Sequence, residues 1–163
     1  MERKRRRQHQ TPDPEDEESI LVLNRQRCRP VDRRALLSFA RCVLDELGQS
    51  GASATITLVS DRTIRTLNRT YRDTDRSTDV LAFPDQATFA HERRSRPYLG
   101  DVIISVETAD RYARRFRISF DRELRNLIIH GLLHLCGYDH ETDQGQMKRL
   151  ERRLRRRLMG GRR

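Results

Sequence analysis

Residues 130–140 read HGLLHLCGYDH and hold three of the five histidines of the chain. Leu124, Leu127, Ile128, Ile129, Leu132, Leu133 and Leu135 surround the first two, an apolar run that predicts a buried helix stopping at Gly137. His130 and His134 are four residues apart, about one helical turn, so their imidazoles stack on one face. Gly137 supplies the positive φ that closes helices, and the chain turns through Tyr138 and Asp139 to bring His140 back as a third nitrogen ligand. Three neutral imidazoles suit zinc, and three protein ligands rather than four leave a position for water or substrate. Nickel, copper and iron also accept imidazole, so the site is better specified than the metal. Cys136, two positions after His134, projects about 200° round the helix from it and is assigned to the core.

The rest of the chain is compatible with a small globular metalloprotein. Its 163 residues fit one domain that can be stable without disulfides. Cys28, Cys42 and Cys136 are odd in number and lack framework spacing, as expected of reduced thiols. No long apolar run is present, and MERKRRR at the start leads into polar and acidic residues, so a soluble, cytoplasmic protein with no membrane partner is expected. The net charge of +10 lies mainly at the ends: residues 1–7 sum to +4 and residues 148–163 to +8, which leaves −2 for residues 8–147. A polyanionic partner is permitted by that balance but not required by it.

Residues 1–18 join a basic cluster to the run TPDPEDEE and are read as a disordered charged tail; a folded unit over 19–159 and a basic tail over 160–163 follow. Ile20 to Leu23 suits a buried strand. From Asp32 to Gly48, Leu36, Leu37, Phe39, Ala40, Val43, Leu44 and Leu47 recur at helical spacing. SATITLV, residues 53–59, reads as a strand, and Ser60 or Asp61 caps a helix running to Tyr71. Arg72 to Thr78 is a polar loop, Asp79 to Phe83 a short strand, 85–98 a loop, Asp101 to Val106 a strand and Val106 to Phe116 a helix. Ser119 or Asp121 caps the histidine helix. Thr142, Asp143 and Gln146 resemble the cap of a last helix whose stripe of Met147, Leu150, Leu154 and Leu158 faces inward. His9 and His91 lie in polar surroundings and are read as surface residues. Mixed elements without strict alternation or internal repeat give a single α+β layer fold.

The histidine spacing is similar to the metzincin protease pattern, with Gly131 in place of the general-base glutamate. Glycine cannot take a proton from a metal-bound water, so the ligand spacing remains while the peptidase base is missing. HGLLHLCGYDH also resembles the signature of the YbeY family of bacterial ribosomal-RNA maturation factors, metal-dependent endoribonucleases. LNRTYRDTDRSTDVLAFP, residues 67–84, and LGDVIIS, residues 99–105, resemble that family's other two motifs in the expected order. Ser77 stands where proline is common in the family and Ala82 where serine is common.

The resemblance implies a four-stranded sheet packed with helices, with one zinc ion in a cleft. It implies a single-strand-specific endoribonuclease in small-subunit (16S) ribosomal-RNA 3′-end maturation and ribosome quality control. Association with the small ribosomal subunit and a ribosome-assembly GTPase is implied in the same way. Arg72 falls in the arginine-bearing motif and is expected to clamp the scissile phosphate, its fork meeting the developing charge bidentately. The catalytic expectation therefore rests on Arg72, His130 and His134, and the metal set is His130, His134 and His140. Asp139 either orients a ligand or serves the turn. Asp79, Asp101, Asn68 and Thr78 are weaker polar positions whose simpler reading is local capping. Two other classes compete: a non-enzymatic, metal-stabilised ribosome assembly factor, and a metalloprotease.

Overall fold

The computed structural model describes residues 20–86 and 97–160. His9, His91, the tail at 1–18, most of the 85–98 loop and all of 160–163 except Gly160 lie outside them. In chain order the elements are β1 (Ile20–Asn24), α1 (Arg33–Glu46), β2 (Ser53–Val59), α2 (Asp61–Arg72), β3 (Val80–Pro84), β4 (Tyr98–Ser105), α3 (Val106–Phe116), α4 (Phe120–Leu135) and α5 (Gln146–Met159).

Two of the caps, Ser60 and Ser119, are among the residues expected to make them, and Asp32 adds a third. The side chains of Asp32, Ser60 and Ser119 accept hydrogen bonds from the amides of Ala35, Thr63 and Arg122, satisfying donors that have no partner inside a helix. The last helix differs from its expected start. Gly145 occupies the N-cap with φ +83°, and the carboxylate of Asp143 accepts from the amides of Gly145 and Met147 at 2.6 and 2.7 Å. Asp143 therefore does the capping, without the reciprocal arrangement with Gln146.

The sheet runs β1-β2-β4-β3, with β1–β2 and β2–β4 parallel and β3 antiparallel to β4. That order was not readable from periodicity. β4 starts at Tyr98, three residues before the Asp101 expected from the sequence, because Ser53 pairs with Tyr98 across a register shift in β2. Pro84 closes the edge strand β3, a place where a missing N–H is tolerated.

Helix α4 is the centre of the molecule. Leu124, Ile128, Ile129, Leu132, Leu133 and Leu135 are each no more than 2% exposed, because the sheet, α1, α3 and α5 surround it. Each such side chain contributes roughly 1.5–3 kcal/mol of burial. Its amphipathic neighbours each bury one stripe: Leu36, Phe39, Ala40, Val43 and Leu44 of α1, and Met147 and Leu154 of α5. Leu150 and Leu158 pack on the same core from its margin, as the apolar stripe predicts.

Candidate metal centre

The last two turns of α4 carry His130 and His134 into a cleft walled by β3. His130 Nε2 and His134 Nε2 are 3.1 Å apart. Beyond the helix Gly137 adopts φ +88°, while the amides of Gly137 and Tyr138 bond back to the carbonyls of His134 and Leu133. This closure reverses the chain and brings His140 to the pair. The three ring centroids form a nearly equilateral triangle of 4.7, 5.3 and 5.4 Å, and the ligand atoms lie within 4.8 Å of one another. Two nitrogens at about 2.0–2.1 Å from a tetrahedral zinc would be roughly 3.3 Å apart, close to the spacing of the α4 pair. The group can hold a metal ion.

A carboxylate that sequence reasoning missed completes the arrangement. Glu151 of α5 accepts from His130 Nδ1 at 2.7 Å, with the two side chains 12% and 29% exposed. A proton held on Nδ1 leaves the Nε2 lone pair facing His134, the tautomer a ligand needs. Burial raises the Glu151 carboxyl, but the His130 hydrogen bond and the Arg155 charge outweigh it and hold the group below its ordinary value. A signal for Glu151 was present: it is the only acid in α5 and lies on the inward stripe, four residues after Met147 and three before Leu154.

The surroundings keep the His134 imidazole available for a cation. Burial, followed by the proximity of His130 and His140, lowers the His134 pKa, and Arg72 acts in the same direction. Cys136 packs against the hydrophobic core, and burial pushes its thiol up to about 11, so the cysteine beside the histidines is a core residue.

Arg72, Thr78, Asp79, Val80, Ala82, Asp139 and Glu141 join the three histidines around a cavity of about 410 Å³. Arg72 is the last residue of α2 rather than part of the following loop, because the helix runs on until Asp73 turns into the left-handed region at φ 50°. It is the only lysine or arginine among these lining residues, which include three carboxylates. Asn68 reaches no cleft position; its amide donates to the Arg76 carbonyl at 2.9 Å and pins the loop that delivers Thr78 and Asp79. Asp79 accepts from Thr78 Oγ1 and from the Val80 amide, as local capping requires. Asp101 accepts from the Tyr98 hydroxyl outside the cleft. Asp139 serves the turn, accepting from the Glu141 amide at 2.9 Å, while Glu151 holds the imidazole.

Gly131 faces the sheet. A Cβ there would come within 2.4 Å of Val102 Cγ1, so α4 and β4 approach too closely for any side chain at this position. The place of a metzincin glutamate is thus taken by helix–sheet packing.

Fold and site together define a small α+β protein with a three-histidine cleft able to hold a metal. The family model described as Endoribonuclease YbeY matches residues 21–159, and the chain belongs to the YbeY family. A curated relative from Myxococcus xanthus, named Endoribonuclease YbeY, is 40% identical over 89% of this chain, which spans half of that relative's length. Another of the same name from Aquifex aeolicus is 38% identical over 78% of this chain and 83% of its own. The solution structure of TM1509 from Thermotoga maritima has 28% identity and a TM-score of 0.57, covering 86% of this chain and 89% of that one.

Proposed function

We propose that the chain is a zinc-dependent endoribonuclease specific for single-stranded RNA, acting in maturation of the 16S ribosomal-RNA 3′ end and in ribosome quality control. The supporting observation is that three histidines able to hold an ion and a lone arginine border the same cleft. The relatives' name supports the reaction class. His130, His134 and His140 are the proposed ligands, and Arg72, His130 and His134 the catalytic set.

When bound, zinc supplies Lewis acidity toward water and toward a phosphoryl oxygen. The chain's own groups do the positioning. Glu151 holds the proton on His130 Nδ1 and fixes the ring. Asp79, Asp139 and Glu141 repel a phosphate, which leaves Arg72 as its attachment among the described lining residues. The guanidinium fork then meets the charge that grows on the phosphate oxygens during displacement. Small-subunit RNA, the small ribosomal subunit and a ribosome-assembly GTPase are the proposed partners, and the cytoplasm is the proposed location. No helix among the described residues is long and apolar enough to cross a membrane.

The test is cleavage of a labelled single-stranded RNA with the sequence of the small-subunit 3′ end, using chelator-stripped protein before and after zinc. Cleavage should return with zinc and be absent from an identically purified His134→Ala preparation. A second reading, a metal-stabilised assembly factor without catalysis, is favoured by one feature: the site joins α4 to its following turn and, through Glu151, to α5. It predicts a zinc-loaded, folded protein that binds ribosomal subunits and leaves the RNA intact.

A further inference from the structure

Helix α5 has two differently treated sets of arginines. Arg155 pairs with Glu151 and Arg157 with Glu46, so these two are neutralised against the body of the protein. Arg149 donates to the Gln144 carbonyl at 3.1 Å and makes no ion pair within contact distance among the described residues, although, with the Met147 amide, its charge helps to hold the Asp143 carboxyl down. Arg152, Arg153 and Arg156 are exposed and have no carboxylate partner among the described residues. The four recur at i, i+3, i+4 and i+7, one face of the helix, where like charges repel.

That face borders a cavity of about 610 Å³, lined by Tyr138, Gln146, Arg149, Leu150, Arg152, Arg153 and Arg156. Among the described residues no carboxylate lines it. It adjoins the metal cleft through a single turn: Tyr138 borders the groove, and the next two residues, Asp139 and His140, border the cleft. With consecutive Cα atoms about 3.8 Å apart, the Cα atoms of Tyr138 and His140 can be no more than about 7.6 Å from each other.

We propose that this groove is a second RNA subsite, which holds the backbone of nucleotides flanking the phosphate at the metal cleft. The inference rests on the single-stranded RNA reading above and extends it to a named surface. Arginine forks bind phosphate bidentately, and an aromatic wall beside them is the arrangement with which proteins hold single strands without reading sequence. The strand crosses the Tyr138–His140 turn with one phosphate in the cleft and its neighbours along α5.

The test is fluorescence anisotropy with a labelled 20-nucleotide oligouridylate and the full chain, stripped of metal so that the probe stays intact, across a salt series. The Arg152→Gln/Arg153→Gln/Arg156→Gln variant is compared with wild type and with Arg27→Gln/Arg34→Gln/Arg122→Gln, an equal charge change on exposed arginines elsewhere. Loss of three phosphate contacts should flatten the slope of log K against log salt by about 2 and weaken binding at least about tenfold at low salt. The control variant should keep the wild-type slope. Equal slopes for wild type and the α5 variant overturn the groove and leave the nuclease reading standing, with an acidic protein surface as the next partner to try. A wild type that binds no RNA and cleaves none when zinc is restored overturns both. Thermal midpoints of all three proteins establish that the variants are folded; should the triple variant not fold, the Arg152→Gln/Arg156→Gln pair is read by the same criterion, with a slope change of about 1.4 expected.

Discussion

The metal cleft and the α5 groove lie on either side of one short turn and have opposite chemistry. Among the described residues the cleft gathers three imidazoles, three carboxylates and one arginine, whereas the groove gathers four arginines and no acid. A cation is favoured in the first and a polyanion in the second. A metal-dependent enzyme acting on a phosphodiester needs both, placed within a nucleotide or two of each other. The contrast also separates effects: a change in the cleft should alter chemistry, and a change in the groove should alter affinity and its salt dependence.

The largest expected effect is that of His134→Ala. Cleavage should fall to background and stoichiometric zinc should be lost, while the RNA affinity of the metal-free protein stays at the wild-type value; a parallel loss of affinity would merge the two regions into one. Arg72→Ala follows, with cleavage down by about 10²–10³-fold at saturating RNA and an unchanged zinc content by metal analysis. Unaltered turnover in that variant would remove Arg72 from the catalytic set.

Glu151→Gln sharpens the boundary between helix packing and ligand orientation. Weakening the acceptor for His130 should lower zinc affinity by about 10–100-fold in a competition titration, with the chain still folded. Gly131→Ala should leave the zinc ligands in place and cost about 1–3 kcal/mol in denaturant unfolding, since the added methyl forces α4 away from Val102.

The smallest effect concerns the anchoring of α2, the helix that ends at Arg72. Asp61 is raised by burial and lowered more strongly by hydrogen bonds from Ser105, Thr108 and Arg111, so its folded-state pKa lies below its ordinary 3.8. A depressed pKa gives stability that is present above the ordinary value and lost as pH falls through the folded one. Asp61→Asn should therefore be less stable than wild type at neutral pH, and the difference should shrink in thermal melts as pH drops below about 4.

Much of the fold was legible because it is written in local patterns. Ser60 and Ser119 stood where caps must be, and the apolar stripes named the buried faces of α1, α4 and α5. The element ends were less legible: α2 keeps Arg72 and β4 begins at Tyr98, because a left-handed Asp73 and a cross-strand partner decide where those elements stop and start. Arg72 illustrates a different limit. Nothing local distinguishes it from the other arginines of the chain; resemblance singled it out, and the structure then put it on the cleft wall.

By itself the sequence determined the three-histidine group, since one helical turn and one glycine-closed reversal place residues 130, 134 and 140 together whatever surrounds them. Only the tertiary structure decided that Glu151 is the acceptor for His130, that Gly131 is an interface with Val102 and that α5 turns four arginines outward beside the cleft. The physical reason is range. Backbone geometry ties residues a few positions apart, while a partner 21 or 29 positions away is chosen by how buried faces pack, which no local spacing records.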